Sequence, residues 1–289
     1  MSGRIAILAG GISTRMKKSE RPDTPVDPAL IDQANSMVKA MIGIGGASRP
    51  FLDYLLLNIV HAGYDDIVIV VNEKDGSIRK YYESRGPDSF LKDIEISFAT
   101  QAIPPGREKP MGTADALRSA LIARNDWRGK YFGVCNSDNL YSIKALGMIR
   151  DSSHVNAMID YDRSGFRYEN DRTNSFAVTI KNEKGFLTDI IEKPTEAEIA
   201  KAADANGFVG VSMNLWGFSY DSIFTYLESV DFHPVRNEKE LPAAVKMMIG
   251  DDPESLFAYR LSEHVPDLTS KSDILAVRSY LTKEFPDFL

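Results

Sequence analysis

The residues best suited by type and spacing to do chemistry are Gly10-Gly11-Ile12-Ser13-Thr14-Arg15, which follow the apolar run at 4–9 (RIAILA). Two glycines after a buried strand let the chain turn sharply and bring its backbone close to a ligand. N–H groups exposed in such a turn form a nest for anions. Thr14 adds a hydroxyl and Arg15 a planar, permanently charged fork for phosphate oxygens. Lys17 and Lys18 add local positive charge. The chemistry these types suit is phosphate handling. The same residues also suit a plain strand-to-helix connection with a surface arginine, and on residue type alone both readings stand. The segment matches neither G-x-x-x-x-G-K-[ST] nor G-x-G-x-x-G. Gly43, Gly45 and Gly46 approach the second pattern, but Ser48 breaks it.

Such a loop needs elements that hold it. Residues 4–9 read as a buried strand, 51–62 as a helix closed by Gly63, and 66–71 as a second strand. Strands at 94–99 and 131–135 enclose a helix at 114–124. Strand and helix alternating in this way predict an α/β fold with a mostly parallel or mixed central sheet flanked by helices. Ligands of such sheets sit at the carboxyl ends of the strands. The second half predicts strands at 155–160, 175–180, 187–191 and 208–218, and helices at 196–204, 221–229, 239–249 and 271–284. Residues 17–38, with three prolines, and the polar stretch 162–174 read as long loops. We expect one domain over 1–289, its first half (1–150) binding nucleotide and its second (151–289) carrying the sugar-phosphate side and the C-terminal helices.

The bulk composition narrows the function. The chain has 289 residues, 43% hydrophobic and 26% charged, enough apolar material for a large core. A net charge of −7 argues against nucleic acid as partner. The N-terminus lacks the pattern of a signal peptide, and no apolar run reaches the ~20 residues of a membrane helix, so a cytoplasmic enzyme is the expectation. Cys135 is the sole cysteine, which excludes an internal disulfide, and it lies in an apolar run that suits a core residue. His61, His154, His233 and His264 show no paired metal spacing, and there is no G-x-S-x-G elbow.

Read in order, several segments resemble the sugar-phosphate nucleotidyltransferases. LAGGISTRM at 8–16 is similar to that family's opening L-A-G-G-x-G-T-R-[LM]. KAMIGIGGASRPFLDYLLL at 39–57 is similar to its P-K-x-[ML]-[LI]-x-[VI]-x-G-[KR]-P-[LM]-[LI] segment. MGTADAL at 111–117 resembles G-T-A-x-A-[LV]. VCNSDNL at 134–140 resembles its G-D-[NL] strand end, IIEKP at 190–194 its E-K-P, and SMNLWGF at 212–218 a strand of its second half. The order of six motifs over residues 5–218 is what makes the resemblance specific; it fades over the last 70 or so residues. The chain departs from the pattern at Ser13, where glycine is usual, in a longer connection from Arg15 to Lys39, and at Val38, where proline is usual.

The resemblance implies a Rossmann-like nucleotide-diphospho-sugar transferase fold. It implies transfer of a nucleotidyl group from a nucleoside triphosphate to a sugar 1-phosphate with release of pyrophosphate. It further implies that Arg15 neutralises the leaving pyrophosphate and that Lys39 bridges the α-phosphate and the attacking phosphate. The nucleotide would lie against Leu8, Ala9, Gly10, Gly11, Ser13, Thr14, Gln101, Gly112 and Thr113. The sugar phosphate would meet Glu192, Lys193 and Asn214. Asp138 would hold Mg²⁺, with Asp267 as the second carboxylate. Plainer roles stay open. Asp138 also suits an N-cap for a helix from 142, and Thr113 an N-cap of its own helix. Lys193 suits a solvated turn with Glu192 as its ion-pair partner, Gln101 a loop residue, and Asn214 a partner for buried backbone groups. Gln101 points to UTP or dTTP, because an amide both donates to and accepts from a base edge. Two other functions remain in view: a cytidylyltransferase for phosphocholine or a similar small phosphate, and a non-catalytic binder of sugar nucleotides. Homo-oligomerisation is not readable from the sequence.

Overall fold

The structure, a computed structural model, describes residues 3–22, 24–84, 90–168 and 170–288. The first half runs β1 (Arg4–Leu8), α1 (Thr14–Lys18), α2 (Pro28–Ser36), α3 (Phe51–His61), β2 (Asp66–Asn72), α4 (Ser77–Glu83), β3 (Glu95–Gln101), α5 (Thr113–Ala123), β4 (Tyr131–Asn136) and α6 (Ile143–Arg150). The second half runs β5 (Asn156–Asp162), α7 (Asn170–Asn174), β6 (Val178–Lys181), β7 (Leu187–Ile191), α8 (Glu196–Ala202), β8 (Gly210–Ser219), α9 (Tyr220–Ser229), α10 (Leu241–Asp251), β9 (Phe257–Leu261) and α11 (Asp273–Glu284).

Among the described residues nine strands form one sheet, ordered β3-β2-β1-β4-β8-β5-β9, with β6 and β7 branching from β8. The first four strands are parallel. β8 then runs antiparallel to both β4 and β5, and β9 is parallel to β5. This is the α/β sheet flanked by helices that the sequence predicts, mixed rather than wholly parallel. The order reverses between β1 and β4, because β2 follows β1 on one side and β4 adds on the other. Their carboxyl ends therefore open a crevice where a ligand fits.

Side chains alternate along each strand and so feed two core layers. Ile5 and Ile7 pack with α3 and α6 through Phe51, Leu55 and Ile149, while Ala6 and Leu8 pack with α5 and α10 through Leu117 and Val245. Cys135 is fully buried in the first layer, where burial pushes its thiol up. No helix among the described residues is long and apolar enough to cross a membrane.

Two expected loops are partly helical. Residues 17–38 contain α2, and residues 162–174 contain a short 3-10 turn at 163–165 followed by α7; Asp23 and Glu169 lie outside the described residues. The prolines of the first stretch mislead when read as breakers. Asp27 caps α2 by accepting from the Ala29 N–H, and Pro28 takes the first helical position, where its missing N–H costs nothing. Leu30, Ile31 and Ala34 of α2 are buried. Edge strand β9 and helix α4 are further elements the sequence reading lacks.

Candidate active site

The glycine-rich loop leaves β1 at the crevice. A Cβ at Gly10 would lie 2.5 Å from Gln101 Oε1, so glycine lets the loop pass over that side chain without displacing it. Ser13, the departure from the family pattern, adopts the left-handed conformation a glycine would take (φ 58°, ψ 36°). Its hydroxyl accepts the Lys39 N–H at 2.9 Å, which supplies a reason for serine over glycine. The loop thus keeps its shape, and the long connection from Arg15 returns Lys39 to it. Met16 is fully buried and anchors α1. At the far end of α1, the buried Lys271 donates to the carbonyls of Lys17 (3.1 Å) and Ser19. A C-terminal residue thereby satisfies helix-end carbonyls that have no partner within α1.

A cleft of about 1090 Å³ opens over this loop. Of the residues singled out in the sequence, Leu8, Ala9, Gly10, Gly11, Ser13, Thr14, Arg15, Lys39, Gly112, Thr113 and Asp138 line it. Arg15 is exposed within it. Gln101 and Asp267 lie just beneath this lining, and Glu192, Lys193 and Asn214 lie outside it.

Asp138 follows β4, and Ser142, not Asp138, caps α6 by accepting from the Ala145 N–H at 3.0 Å. The chain beside Asp138 bridges to the C-terminal segment. Leu268 N–H donates to the Asp138 carbonyl at 2.9 Å and Leu140 N–H to the Pro266 carbonyl at 2.8 Å, around an Asn139–Asp267 bridge. Two carboxylates far apart in sequence thus become neighbours. The Lys39 ammonium pairs with Asp138. Arg172 pairs with Asp267 at 2.7 Å, and Thr269 donates to it at 2.7 Å. Burial, and then the neighbouring Asp138 charge, push the Asp267 carboxyl up, against the pull of Arg172 and Lys39. Among the described residues no group of three or more His, Cys, Asp or Glu forms a metal cage. A buried Asp267 beside the part-exposed, cleft-lining Asp138 nevertheless suits Mg²⁺, which takes one or two carboxylates and completes its shell with phosphate oxygens and water.

The other wall joins the two halves of the chain. Residues 111–114 are zipped to 239–241: Lys239 N–H donates to the Met111 carbonyl, Ala114 N–H to the Lys239 carbonyl at 3.0 Å, and Leu241 N–H to Thr113 Oγ1 at 2.9 Å. The Thr113 hydroxyl therefore serves the start of α10, not its own helix. Gly112 carries φ +110°, and a Cβ there would lie 2.4 Å from the Lys239 carbonyl oxygen. Gly112→Ala is expected to lower the unfolding free energy by about 3 kcal/mol, checked by urea denaturation, because strain and overlap add.

Arg236 lines the cleft, with Asn237, Glu238 and Thr269 also from the second half. It pairs with Glu192 and, at 2.7 Å, with Glu240, whose carboxyl burial and then Glu192 push up to about 7. Lys193 is exposed and holds φ +49°, a strained setting for a lysine. Asn214 holds φ +57°, which asparagine tolerates. Arg107, Lys109, Arg172, Arg236, Thr269 and Lys271 escaped the sequence reading. Except for Thr269, which bonds Asp267 two residues away, each has a partner far along the chain, Arg172 for example 95 residues from Asp267, so local spacing does not mark them.

The segment bearing Arg172 is held by aromatic packing on His264, 4.7 Å from Tyr168, and by the Arg167 N–H donating to His264 Nδ1. Burial first, then Arg167 and Arg172, lower the His264 pKa to about 4 from 6.5. The unfolded chain then binds a proton between these values that the folded chain refuses, so stability is lost as pH falls from 6.5 to 4. His264→Phe is expected to remove on the order of 2 kcal/mol of that loss, read as the difference in unfolding free energy between pH 7 and pH 4 for the two proteins.

Comparison with known proteins bears on the family and the fold. A family model described as nucleotidyl transferase matches residues 30–248. The chain is 26% identical over 233 residues to a glucose-1-phosphate adenylyltransferase of Corynebacterium diphtheriae, covering 79% of this chain and 49% of that protein. It is 22% identical to one of Cutibacterium acnes, covering 81% and 53%. The chain spans about half the length of these curated relatives. Its fold is similar to a UDP-glucose pyrophosphorylase solved with UDP-glucose (TM-score 0.71, 16% identity, 98% of this chain and 100% of that one). It is equally similar to a UTP-bound UGPase from Acinetobacter baumannii (TM-score 0.71, 18% identity, 99% and 95%). The fold is that of these neighbours, a mixed α/β sheet flanked by helices. The chain belongs to the nucleotidyl transferase family.

Proposed function

We propose that this chain transfers a nucleotidyl group from a nucleoside triphosphate, UTP or dTTP, to a sugar 1-phosphate. The observation that carries the reading is the meeting of Arg15, Lys39 and Asp138 in one cleft at the carboxyl ends of β1 and β4. The named relatives act on glucose 1-phosphate, which favours a sugar phosphate over phosphocholine as acceptor. The two structural neighbours hold UDP-glucose and UTP, in keeping with a pyrimidine donor, whereas the sequence relatives are adenylyltransferases. The reaction belongs in the cytoplasm, where nucleoside triphosphates are made and used.

In this reading a phosphate oxygen of the sugar 1-phosphate attacks the α-phosphorus. The new O–P bond forms as the bond to pyrophosphate breaks, with inversion at phosphorus. Such a transfer asks the protein for alignment and charge neutralisation rather than covalent help. Arg15 takes the charge that grows on pyrophosphate. Lys39 spans the two phosphates that would otherwise repel. Glu192 is joined to the cleft through its pair with Arg236, and Lys193 and Asn214 would meet the sugar phosphate beyond the cleft lining. Asp138 and Asp267 would hold Mg²⁺, which when bound screens the phosphate charge. The test uses UTP or dTTP labelled with ³²P at the α-position, a panel of sugar 1-phosphates and Mg²⁺. Label should appear in a nucleoside diphosphate sugar. Bound nucleotide with no label transferred to any acceptor would refute the reading.

A further inference from the structure

The helix that presents Arg15 to the cleft, α1, is five residues long, and Arg15 is exposed on it. So short a helix makes few bonds of its own, here from Lys17 N–H to the Ser13 carbonyl at 3.0 Å and from Ser19 N–H to the Arg15 carbonyl at 2.9 Å. Contacts from outside must set its tilt. Buried Met16 fixes its depth, but an apolar contact has no direction. Lys271 is 4% exposed, and its ammonium meets the carbonyls of Lys17 and Ser19 and, among the described residues, no carboxylate. A buried ammonium without a counter-ion is costly, and an apolar side chain would fill the same space without that cost. What the ammonium adds is two directional bonds to carbonyls at the negative end of the helix dipole.

Lys271 belongs to the turn that carries Asp267. Asp273 stiffens this turn by accepting the N–H groups of Thr269 at 2.9 Å and Ser270 at 2.7 Å and by pairing with Arg172, which also holds Asp267. The Lys271 N–H reaches Ser19 Oγ at 3.1 Å. That bond survives a change of the Lys271 side chain and keeps turn and helix adjacent, but it acts through a rotatable serine side chain. The ammonium bonds the turn directly to the main chain at the end of α1.

We infer that Lys271 is a positioning residue for the departing pyrophosphate: it fixes the tilt of α1, and with it the place of the Arg15 guanidinium, against the turn that carries Asp267. The leaving-group cation and the proposed metal ligand, far apart in sequence, thereby share one frame. In-line transfer needs such a frame, because a misplacement of about 1 Å costs on the order of 10²-fold in rate. Lys271 itself is buried and is not among the residues that line the cleft. This deepens the proposed reaction and rests on its placing of pyrophosphate at Arg15.

Lys271→Met keeps most of the stem and removes the ammonium. Kd is measured by calorimetry in EDTA for pyrophosphate and for UMP, which has no β- or γ-phosphate (AMP where the donor proves to be ATP). The proteins are the wild type, Lys271→Met, Arg15→Ala and the double variant. Lys271→Met should weaken pyrophosphate about tenfold and leave UMP within about twofold. In the Arg15→Ala background the same substitution should weaken pyrophosphate by less than about twofold, because no guanidinium is left to misplace. A merely structural role would weaken both ligands alike and act equally in both backgrounds. A Lys271→Met protein that binds pyrophosphate within twofold of the wild type overturns the proposal. So does an equal loss of UMP, or a loss that is undiminished beside Arg15→Ala. Where Lys271→Met does not fold, Lys271→Gln, which keeps N–H donors on a shorter stem, is judged by the same limits. A wild type that binds pyrophosphate but transfers no nucleotidyl group refutes the reaction and leaves the positioning role standing. A wild type that binds no pyrophosphate overturns both.

Discussion

Asp138→Asn should lower kcat for pyrophosphate release by on the order of 10³-fold and leave the fold intact. The substitution keeps the side-chain shape at the end of β4 and removes its charge. Two partners feel the loss. The Lys39 ammonium loses its counter-ion, and the pair with Asp267, the carboxylate site for a divalent ion, is reduced to one charge. Stability should change little, by about 1 kcal/mol or less, because the Lys39 and Asp138 side chains remain 22% and 16% exposed. Initial rates at saturating substrates, with a thermal melt as the control for folding, check the result. A variant within tenfold of the wild type would show that Asp138 holds no ion the reaction needs.

Lys39→Met should lower kcat by about 10²-fold while the protein still binds Mn²⁺. The methionine keeps the stem of the lysine, and the backbone stays in place because Ser13 accepts the residue-39 N–H whatever the side chain. The charge that spans the two phosphates is what disappears. Asp138 is then relieved of its internal cation, so Mn²⁺ affinity measured by electron paramagnetic resonance should hold or tighten. Loss of Mn²⁺ binding together with activity would mean that Lys39 organises the carboxylates instead of acting on phosphate. The two variants thus separate roles that a single activity assay would merge.

Much of the first half is legible in the sequence because its signals are local. The apolar runs at β1, β2 and β4 and the helical spacing of α3 and α5 fall close to the observed elements. The cleft residues from Leu8 to Arg15 are legible for the same reason: paired glycines after a buried strand mark a sharp turn where backbone can approach a ligand. What the sequence hides is made by long-range contact. Asp267 stands beside Asp138 through a backbone bridge that its residue type does not announce. Arg236 reaches Glu192 across 44 residues. The Gln101 amide donates to the Gly112 carbonyl and to Asp115 in the next helix, so the residue is readable and its partners are not. α2 is hidden differently. Its start, Asp27-Pro28, has the form of a cap followed by a first-turn proline, but three prolines in one stretch read as a loop until the burial of Leu30 and Ile31 is seen.

The central claim is nucleotidyl transfer, and pyrophosphate release tests it most directly. The assay runs the four ribonucleoside triphosphates and dTTP against glucose 1-phosphate and other sugar 1-phosphates, with Mg²⁺ and with EDTA. Pyrophosphate should appear with UTP or dTTP in step with a nucleoside diphosphate sugar, and EDTA should stop both. No pyrophosphate from any pair, from a protein that binds nucleotide tightly, would contradict the account and leave a sugar-nucleotide binder in its place.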